Sequence, residues 1–188
     1  MDIDMKKFLV IVLVALNVEC AQAQKVAVST NLIDYVNYAT LNADISYAVA
    51  QHWSLSAGTR YNPFNFPGGV EGGQRQNRQR TFSLESRYWP WHVYSGWWAL
   101  AKVQYQEYNY GGIEALETNE GDRVGAGLAG GYAYMLGRHI NVEMGLGVWS
   151  GADKYKVYAC PTCGRTLDEG NKFFVMLDEV LLSLAYVF

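Results

Sequence analysis

The sequence predicts an all-β fold: an eight-stranded antiparallel transmembrane β-barrel with up-and-down topology and a plugged polar interior. Apolar side chains recur at every second position, as in strands with one apolar face, and no stretch keeps a helical period. Short and long connections alternate along the chain. The chain ends on a strand with an apolar face, which a barrel in lipid requires of its outer surface. That face matches the terminal pattern that barrel-insertion machinery recognises, and its residues are Val180, Leu182, Leu184, Tyr186 and Phe188.

Eight segments follow the two-residue period. Each sets a row of apolar side chains against a row of small or polar ones, and turn residues separate the segments. A soluble β-barrel or sandwich also alternates, but it directs its larger residues inward. Here the second row mixes Ser, Gly and Ala with charges of both signs, which fits the narrow interior of a small membrane barrel. The segments are residues 26–32, 41–49, 53–61, 81–88, 97–108, 124–134 and 140–148, and the terminal strand that ends at 188.

The connections predict how the barrel is oriented. Outer-membrane barrels have short periplasmic turns and longer external loops, and eight strands place both termini on the short-turn side. Aromatic residues cluster near both rims, as headgroup belts do, with Trp89 and Phe188 among those at the short-turn rim. We therefore expect an outer-membrane location with periplasmic termini. The short turns are 50–52, 90–96 and 136–139, and the longer links are 33–40, 62–80, 109–123 and 155–172.

The beginning of the chain predicts secretion. Lys6 and Lys7 precede a short apolar run and the small-residue site Ala21-Gln22-Ala23, which is the pattern of a signal peptide over residues 1–23. The barrel domain is then 24–188. Cys20 offers a competing interpretation as a lipidated cysteine, although Glu19 before it is larger than lipoprotein signals favour. Residues 1–23 carry two basic and three acidic groups, so the formal net charge of −3 becomes −2 without them, and nucleic acid is not an expected partner.

Five short motifs are spread over nearly all of the mature chain. They are Ser29-Thr30-Asn31-Leu32, Trp53-Ser54-Leu55, Tyr61-Asn62-Pro63-Phe64, Glu85-Ser86-Arg87-Tyr88-Trp89 and Cys160-Pro161-Thr162-Cys163-Gly164. In this order and spacing, the chain resembles a domain-of-unknown-function family of small outer-membrane barrels, in the wider OmpA/OmpX-like eight-stranded class. The resemblance implies fold and location but no established chemistry. It also implies a helper role in the assembly of surface fimbriae or adhesins.

Charged residues on the inner faces predict a plug. An eight-stranded barrel is just wide enough for side chains to fill it, and charges buried there must pair. We therefore expect a salt-bridge network that closes the interior and fixes the strand register. A gated polar path is the alternative, because charged lumens also tune selectivity. The predicted network is Asp44, Arg60, Glu85, Arg87, Lys102, Glu143 and Glu179.

Two external links contain candidate contact residues. In the link 62–80, aromatic and arginine side chains lie beside a glycine-rich stretch, and guanidinium groups suit lipopolysaccharide phosphates. These candidates are Phe64, Phe66, Arg75, Arg78 and Arg80. In the last link, Cys160 and Cys163 favour a disulfide in an oxidising compartment. Zinc bound with help from Asp168 or Glu169, or shared between two chains, and a thioredoxin-like redox pair remain alternatives.

The histidines bear on the question of an enzyme. His52, His92 and His139 all fall in short turns, at the end opposite to external substrates, where none can act as a surface general base. We therefore expect a non-enzymatic structural or surface-interaction protein without metal or cofactor. Its expected partners are outer-membrane lipid and lipopolysaccharide, the barrel-insertion machinery and a surface appendage protein. A small-solute pore or a lipid-modifying barrel enzyme is the alternative.

Overall fold

A computed structural model of the protein describes residues 25–70, 73–113, 115–160 and 163–188, without the side chains of Cys163 and Glu179. The predicted signal peptide and Cys20 lie outside these ranges. Within them, no helix is long and apolar enough to cross a membrane. The elements in chain order are β1 (Val26–Asn31), α1 (Leu32–Val36), β2 (Leu41–Ala50), β3 (Trp53–Asn62), β4 (Asn65–Pro67), β5 (Gln74–Tyr88), β6 (Gly96–Gly111), β7 (Thr118–Met135), β8 (Ile140–Cys160) and β9 (Cys163–Val187).

Eight of the strands form one antiparallel sheet that closes into a ring. Strand β1 pairs with both β2 and β9, and β3 pairs directly with β5, which closes the circle. The three-residue strand β4 lies outside the ring and pairs with the first residues of β5. The predicted all-β, antiparallel fold is confirmed. Neighbours around the ring follow the order of the chain, except that β3 is followed by β5 and that β9 is followed by β1.

The strands are staggered around the ring. A row of paired residues that leaves β9 at Tyr186 returns to β9 at Val175, eleven residues away, and one of the eleven is the extra residue of a β-bulge. Such a stagger tilts the strands against the axis of the ring, as closure of a small sheet requires. The row runs through Tyr186, Val28, Ile45, Ala57, Leu84, Val103, Ala126, Ser150 and Val175.

Connections divide the ring into a short-turn end and a long-hairpin end. The short-turn end contains residues 51–52, 89–95 and 136–139 and also the last residue, Phe188, whose N–H donates to Val26 O at 2.8 Å. At the long-hairpin end, strands β6 to β9 continue through most of the predicted links 109–123 and 155–172, and β5 takes up residues 74–80 of the link 62–80. The prediction of long loops was therefore wrong for 109–123 and 155–172. These extensions carry polar residues on both faces, so they show no apolar period.

A small apolar core lies inside the ring at the short-turn end. Its buried residues include Trp89, Tyr94, Trp98, Leu100 and Val187. Trp89 is fully buried, and its Nε1–H donates to Ser54 Oγ at 3.0 Å. The interior is therefore not polar throughout, and Trp89 does not belong to a rim belt as the sequence suggested. The backbone N–H of Trp89 donates to His52 O, which folds the chain after β5 across the end of the ring.

Glycines on the inner faces of β7 and β8 leave space for a large side chain of this core. A Cβ atom added at Gly131 would lie 2.5 Å from Trp98 Cζ2, and one added at Gly145 in β8 would lie 2.7 Å from Trp98 Cη2. The indole of Trp98 therefore lies directly against two glycine backbones. Because no other residue type leaves this space, the inner row of small residues in β7 permits large side chains from its neighbours.

The fold predicts that Gly131 cannot accept a methyl group. Gly131→Ala should lower the free energy of unfolding by about 1–3 kcal/mol, because the tryptophan and the backbone of β8 must move apart. Guanidinium titration of the refolded protein measures the change. Gly137→Ala is the control, because a Cβ at Gly137 meets nothing within 4 Å. Equal stability of the two variants would contradict the packing argument.

Candidate functional site

Three groups of paired charges follow one another inside the ring. The turn-end ion cluster consists of Glu85, Arg87 and Glu143. Arg87 Nη1 donates to Glu143 Oε2 at 2.6 Å, and Arg87 Nη2 lies 3.5 Å from Glu85 Oε2. The guanidinium also lies 4.5 Å from the ring centroid of Trp98, so the aromatic face adds a cation–π contact. This cluster joins β5 to β8 across the interior.

The central ion cluster consists of Asp34, Arg60, Lys102 and Asp178. Lys102 Nζ lies 2.6 Å from Asp178 Oδ2, and Arg60 Nη1 lies 3.7 Å from the same oxygen. Arg60 Nε also lies 3.0 Å from Asp34 Oδ2, in helix α1. The Lys102 ammonium is almost fully buried. Two acids and two bases from β3, β6, β9 and α1 thus neutralise one another where an unpaired charge would be costly.

Strand β9 contributes Asp178 to this cluster, which the sequence did not predict, while the predicted place of Glu179 in the interior network stays a prediction. The register of β9 shifts between Leu177 and Glu179, so Asp178 is the extra residue of a bulge. Its carboxylate also accepts from Gln104 Nε2 at 3.3 Å. The backbone of Glu179 pairs with Gly147, and its side chain lies outside the described part. A bulge reverses the alternation on its two sides, which a single period from Phe188 cannot show.

Asp44 is a further predicted interior charge. It is half-buried on β2 and pairs in register with Gly58 of β3, which leaves space for the carboxylate. A Cβ added at Gly58 would also lie 2.7 Å from Ser83 Oγ. Of the predicted interior charges, Arg60 and Lys102 belong to the central ion cluster, and Glu85, Arg87 and Glu143 form the turn-end ion cluster.

The mouth ion cluster, Arg123, Asp153 and Lys172, was not predicted. Asp153 is fully buried and accepts from Tyr108 OH at 3.0 Å and from Arg123 Nε at 3.2 Å. Lys172 Nζ lies 3.6 Å from the same carboxylate, and the Arg123 guanidinium stacks 3.8 Å from the ring centroid of Tyr108. The sequence signal was weak, because these residues lie in or next to segments that were predicted as links.

A cavity of about 480 Å³ opens above the central ion cluster toward the long-hairpin end. We call it the mouth cavity. Asp178, Arg123 and Lys172 contribute charges to its wall, while carboxamides supply most of the remaining polar groups. Gln106 Nε2 donates to Gln79 Oε1 at 2.8 Å. Carboxamides both donate and accept, so the cavity can bind neutral polar groups as well as ions. The lining carboxamides are Asn37, Asn77, Gln79, Gln106 and Asn119.

The five candidate contact residues divide into two groups. The first group is aromatic. The ring centroids of Phe64 and Phe66 are 6.5 Å apart, and those of Phe66 and Tyr38 are 5.9 Å apart. The Arg75 guanidinium joins this group, because it lies 5.9 Å from the ring centroid of Tyr38. Arg78 and Arg80 belong instead to an outer cavity of about 390 Å³, where Arg80 Nη1 lies 3.6 Å from Glu107 Oε2. All three arginines are strand residues of β5, and not loop residues as expected.

The two cysteines lie where the last two strands meet. Cys160 and Cys163 are register partners at the ends of β8 and β9, and the predicted disulfide stays a prediction. Below them, Lys156 Nζ lies 3.7 Å from Glu169 Oε2, and Tyr155 OH donates to Asp168 Oδ2 at 3.1 Å. That hydrogen bond raises the pKa of Tyr155 above its usual 10.0. The described residues contain no group of three or more His, Cys, Asp or Glu that could hold a metal ion.

The histidines and the terminal apolar face lie at the short-turn end. His52 Nδ1 donates to Trp89 O at 2.9 Å, and His139 Nδ1 donates to Val187 O at 2.9 Å. The predicted insertion residues lie on the outer face of β9 and just after it. Leu182 is half-buried, whereas the others are exposed: Val180, Leu184, Tyr186 and Phe188.

The central ion cluster should respond differently to single and double substitutions. Lys102→Met should lower the free energy of unfolding by about 3–5 kcal/mol, because Asp178 keeps a buried charge without its nearest partner. The double variant Lys102→Met/Asp178→Leu should recover most of the loss, since it removes both charges. Guanidinium titration measures both values. Arg80→Met is the control, because its ion pair with Glu107 is exposed and contributes about 0–1 kcal/mol. A double variant as unstable as Lys102→Met would contradict the pairing.

The comparison with known proteins places the chain in a family. Residues 8–188 match the family described as "Protein of unknown function (DUF3575)". No curated protein and no solved structure matches the chain. Because the match covers nearly the whole sequence, the protein belongs to the DUF3575 family of proteins of unknown function.

Proposed function

We propose that the protein is a non-enzymatic outer-membrane β-barrel whose external end contacts a surface partner. The distribution of side chains supports this most directly, because it is the reverse of that in a soluble protein. Leu84, Leu128 and Leu146 are each more than 60% exposed on the outer face of the ring. Lys102, Glu85 and Glu143 are each less than 8% exposed in the interior. Lipid around the ring would cover the outer leucines.

A charged row supports an external boundary for the lipid. Phe82, Tyr105 and Val124 form the last apolar positions on the outer faces of β5, β6 and β7. Two residues further, Arg80 pairs in register with Glu107, which pairs with Asp122. Such a change from aromatic to charged side chains is expected where hydrocarbon gives way to headgroups. Arg78 and Arg80 are then placed to contact the phosphates of lipopolysaccharide.

The paired charges support a plug instead of a pore. The turn-end and central ion clusters span the interior between opposite strands, and the apolar core closes the short-turn end. The mouth cavity ends at Asp178, within the central ion cluster. In the described residues, the mouth cavity therefore opens only toward the external end. The histidines lie at the opposite end, and this separation supports binding, not acid–base catalysis, as the activity.

The remaining parts of the proposal follow from this location. We propose that residues 1–23 direct secretion and that the barrel-insertion machinery recognises the terminal face of β9. The termini would lie in the periplasm, because the short-turn end carries Phe188 and the start of β1. The external partner would be a surface appendage protein or envelope lipid, and contact would involve the mouth cavity and the hairpins beside it.

Migration on a gel tests the membrane-barrel proposal. We expect the refolded protein in detergent to migrate differently before and after boiling, because a closed ring of paired strands stays compact in detergent without heat. A membrane fraction prepared from cells should also retain the protein after a high-salt wash. Identical migration with and without boiling, together with release by salt, would overturn the proposal.

Conductance separates the plug from the pore. In planar bilayers we expect no steady current from the wild-type protein, whereas Arg60→Ser/Lys102→Ser/Asp178→Ser should conduct, because it removes the central ion cluster and its long side chains. Arg80→Ser is the control, since the Arg80 side chain lies on the outer face of β5. A steady wild-type current would reject the plug and favour the small-solute pore.

A further inference from the structure

Strand β9 has a free edge along the half that is nearer the hairpin tip. Strand β1 is only six residues long and pairs with β9 from Ser183 to Val187. The Asn31 side chain adds two hydrogen bonds. Its Nδ2 donates to Val180 O at 3.3 Å, and its Oδ1 accepts from Leu182 N at 3.1 Å. Beyond these, the stretch from Thr166 to Leu177 pairs with β8 on one side, and no described strand pairs with it on the other. A row of backbone groups is therefore available for pairing.

At the opposite edge of the extended sheet, the chain covers the free edge of β5 with a short strand. Strand β3 ends where Asn62 pairs with Gln79, so β5 would also continue with a free edge. There the chain supplies β4, whose residues Asn65 and Pro67 pair with Gln76 and Gln74. Pro67 cannot donate to a further strand, which protects the new edge. The fold thus covers one of its two edges and leaves the other open.

The open edge also carries apolar residues that lipid would not cover. A membrane-spanning strand needs about 9–11 residues, and the outer apolar run from Trp97 to Tyr105 on β6 fits that length. On β9 the corresponding run extends from Phe188 to Phe173, which is sixteen residues. Phe173 and Val175 are 74% and 69% exposed, and they have a strand neighbour on one side only. They project past the length that a bilayer requires.

Charged residues limit where this edge can pair. Asp168 and Glu169 lie nearer the hairpin tip, and charges at such positions discourage unspecific strand addition. Lys172 is the one charged residue from Asn171 to Leu177, and its ammonium lies 3.6 Å from Asp153 in the mouth ion cluster. The usable part of the edge is therefore residues 171–177, where backbone groups and an apolar outer face coincide.

We infer that residues 171–177 of β9 bind an extended segment of another protein by β-strand addition. This inference rests on the proposed function, and it specifies the kind of surface partner. The added strand would alternate apolar and polar residues, with its apolar side chains beside Phe173 and Val175. A second copy does not fit, because antiparallel pairing of two β9 strands would invert one copy relative to the membrane. The partner is thus a segment of a different, extended polypeptide.

The test uses the full-length protein in lipid nanodiscs and a nine-residue probe peptide, in which valine alternates with threonine between two terminal lysines. We expect saturating peptide to slow hydrogen–deuterium exchange at free-edge amides within residues 171–177 at least tenfold. Phe173→Ala/Val175→Ala should weaken peptide binding at least tenfold. Val124→Ala is the matched control, because it is also exposed on the outer face but β7 is paired on both edges. It should leave the binding unchanged.

Three results would overturn the inference. The first is unchanged exchange at saturating peptide. The second is equal binding of a peptide whose valine amides are N-methylated, which would indicate apolar adhesion without strand pairing. The third is protection without peptide that grows with protein concentration, which would assign the edge to a second copy. If the protein shows heat-dependent migration on the gel together with any of these results, strand addition is contradicted and the membrane-barrel proposal is not. If the protein fails to enter nanodiscs, the membrane proposal fails, and the same exchange measurement in buffer still decides the edge.

Discussion

The contact between Lys102 and Asp178 sets the register on which the rest of the ring depends. Their charged atoms are 2.6 Å apart and belong to β6 and β9, which are not neighbours in the sheet. A buried charge that loses its partner costs several kcal/mol, so both strands must place their charges at one level. The bulge at Asp178 allows this, since it turns an additional residue inward. One ion pair therefore constrains the register of two strands across the ring.

The same narrow interior explains why small residues are distributed so unevenly. Trp98, Lys102 and Trp149 all project inward, and an eight-stranded ring holds few side chains of that size at each level. Strand β7 compensates, because its inner positions include Gly127 and Gly131. Glycine usually weakens a strand, but here it allows close contact between a neighbour's side chain and the backbone. Size complementarity between adjacent strands and charge pairing across the ring thus act together.

Much of the ring was predictable from the two-residue period, because an apolar outer face repeats wherever the surface is uniform. The period failed where the surface changes. Around Asp178 the apolar positions change phase, from Leu177 and Val175 to Val180 and Leu182, and this change was the available signal for the bulge. Strand extensions beyond the apolar band have two polar faces and resemble loops. The mouth ion cluster was missed for that reason, although Glu85, Arg87 and Lys102 were placed correctly on inner faces.

Closure and recognition use different halves of β9. To close the ring, β9 must pair with β1 only over the residues nearest Phe188, and β1 is no longer than that pairing requires. From Thr166 to Leu177 its backbone pairs with β8 alone, so the other edge of this stretch can change without opening the ring. Helix α1 and the Asn31 side chain separate the two halves, because they take the place of β1 beyond its last residue. A short first strand is therefore sufficient to build both a closed ring and an open edge from one long terminal strand.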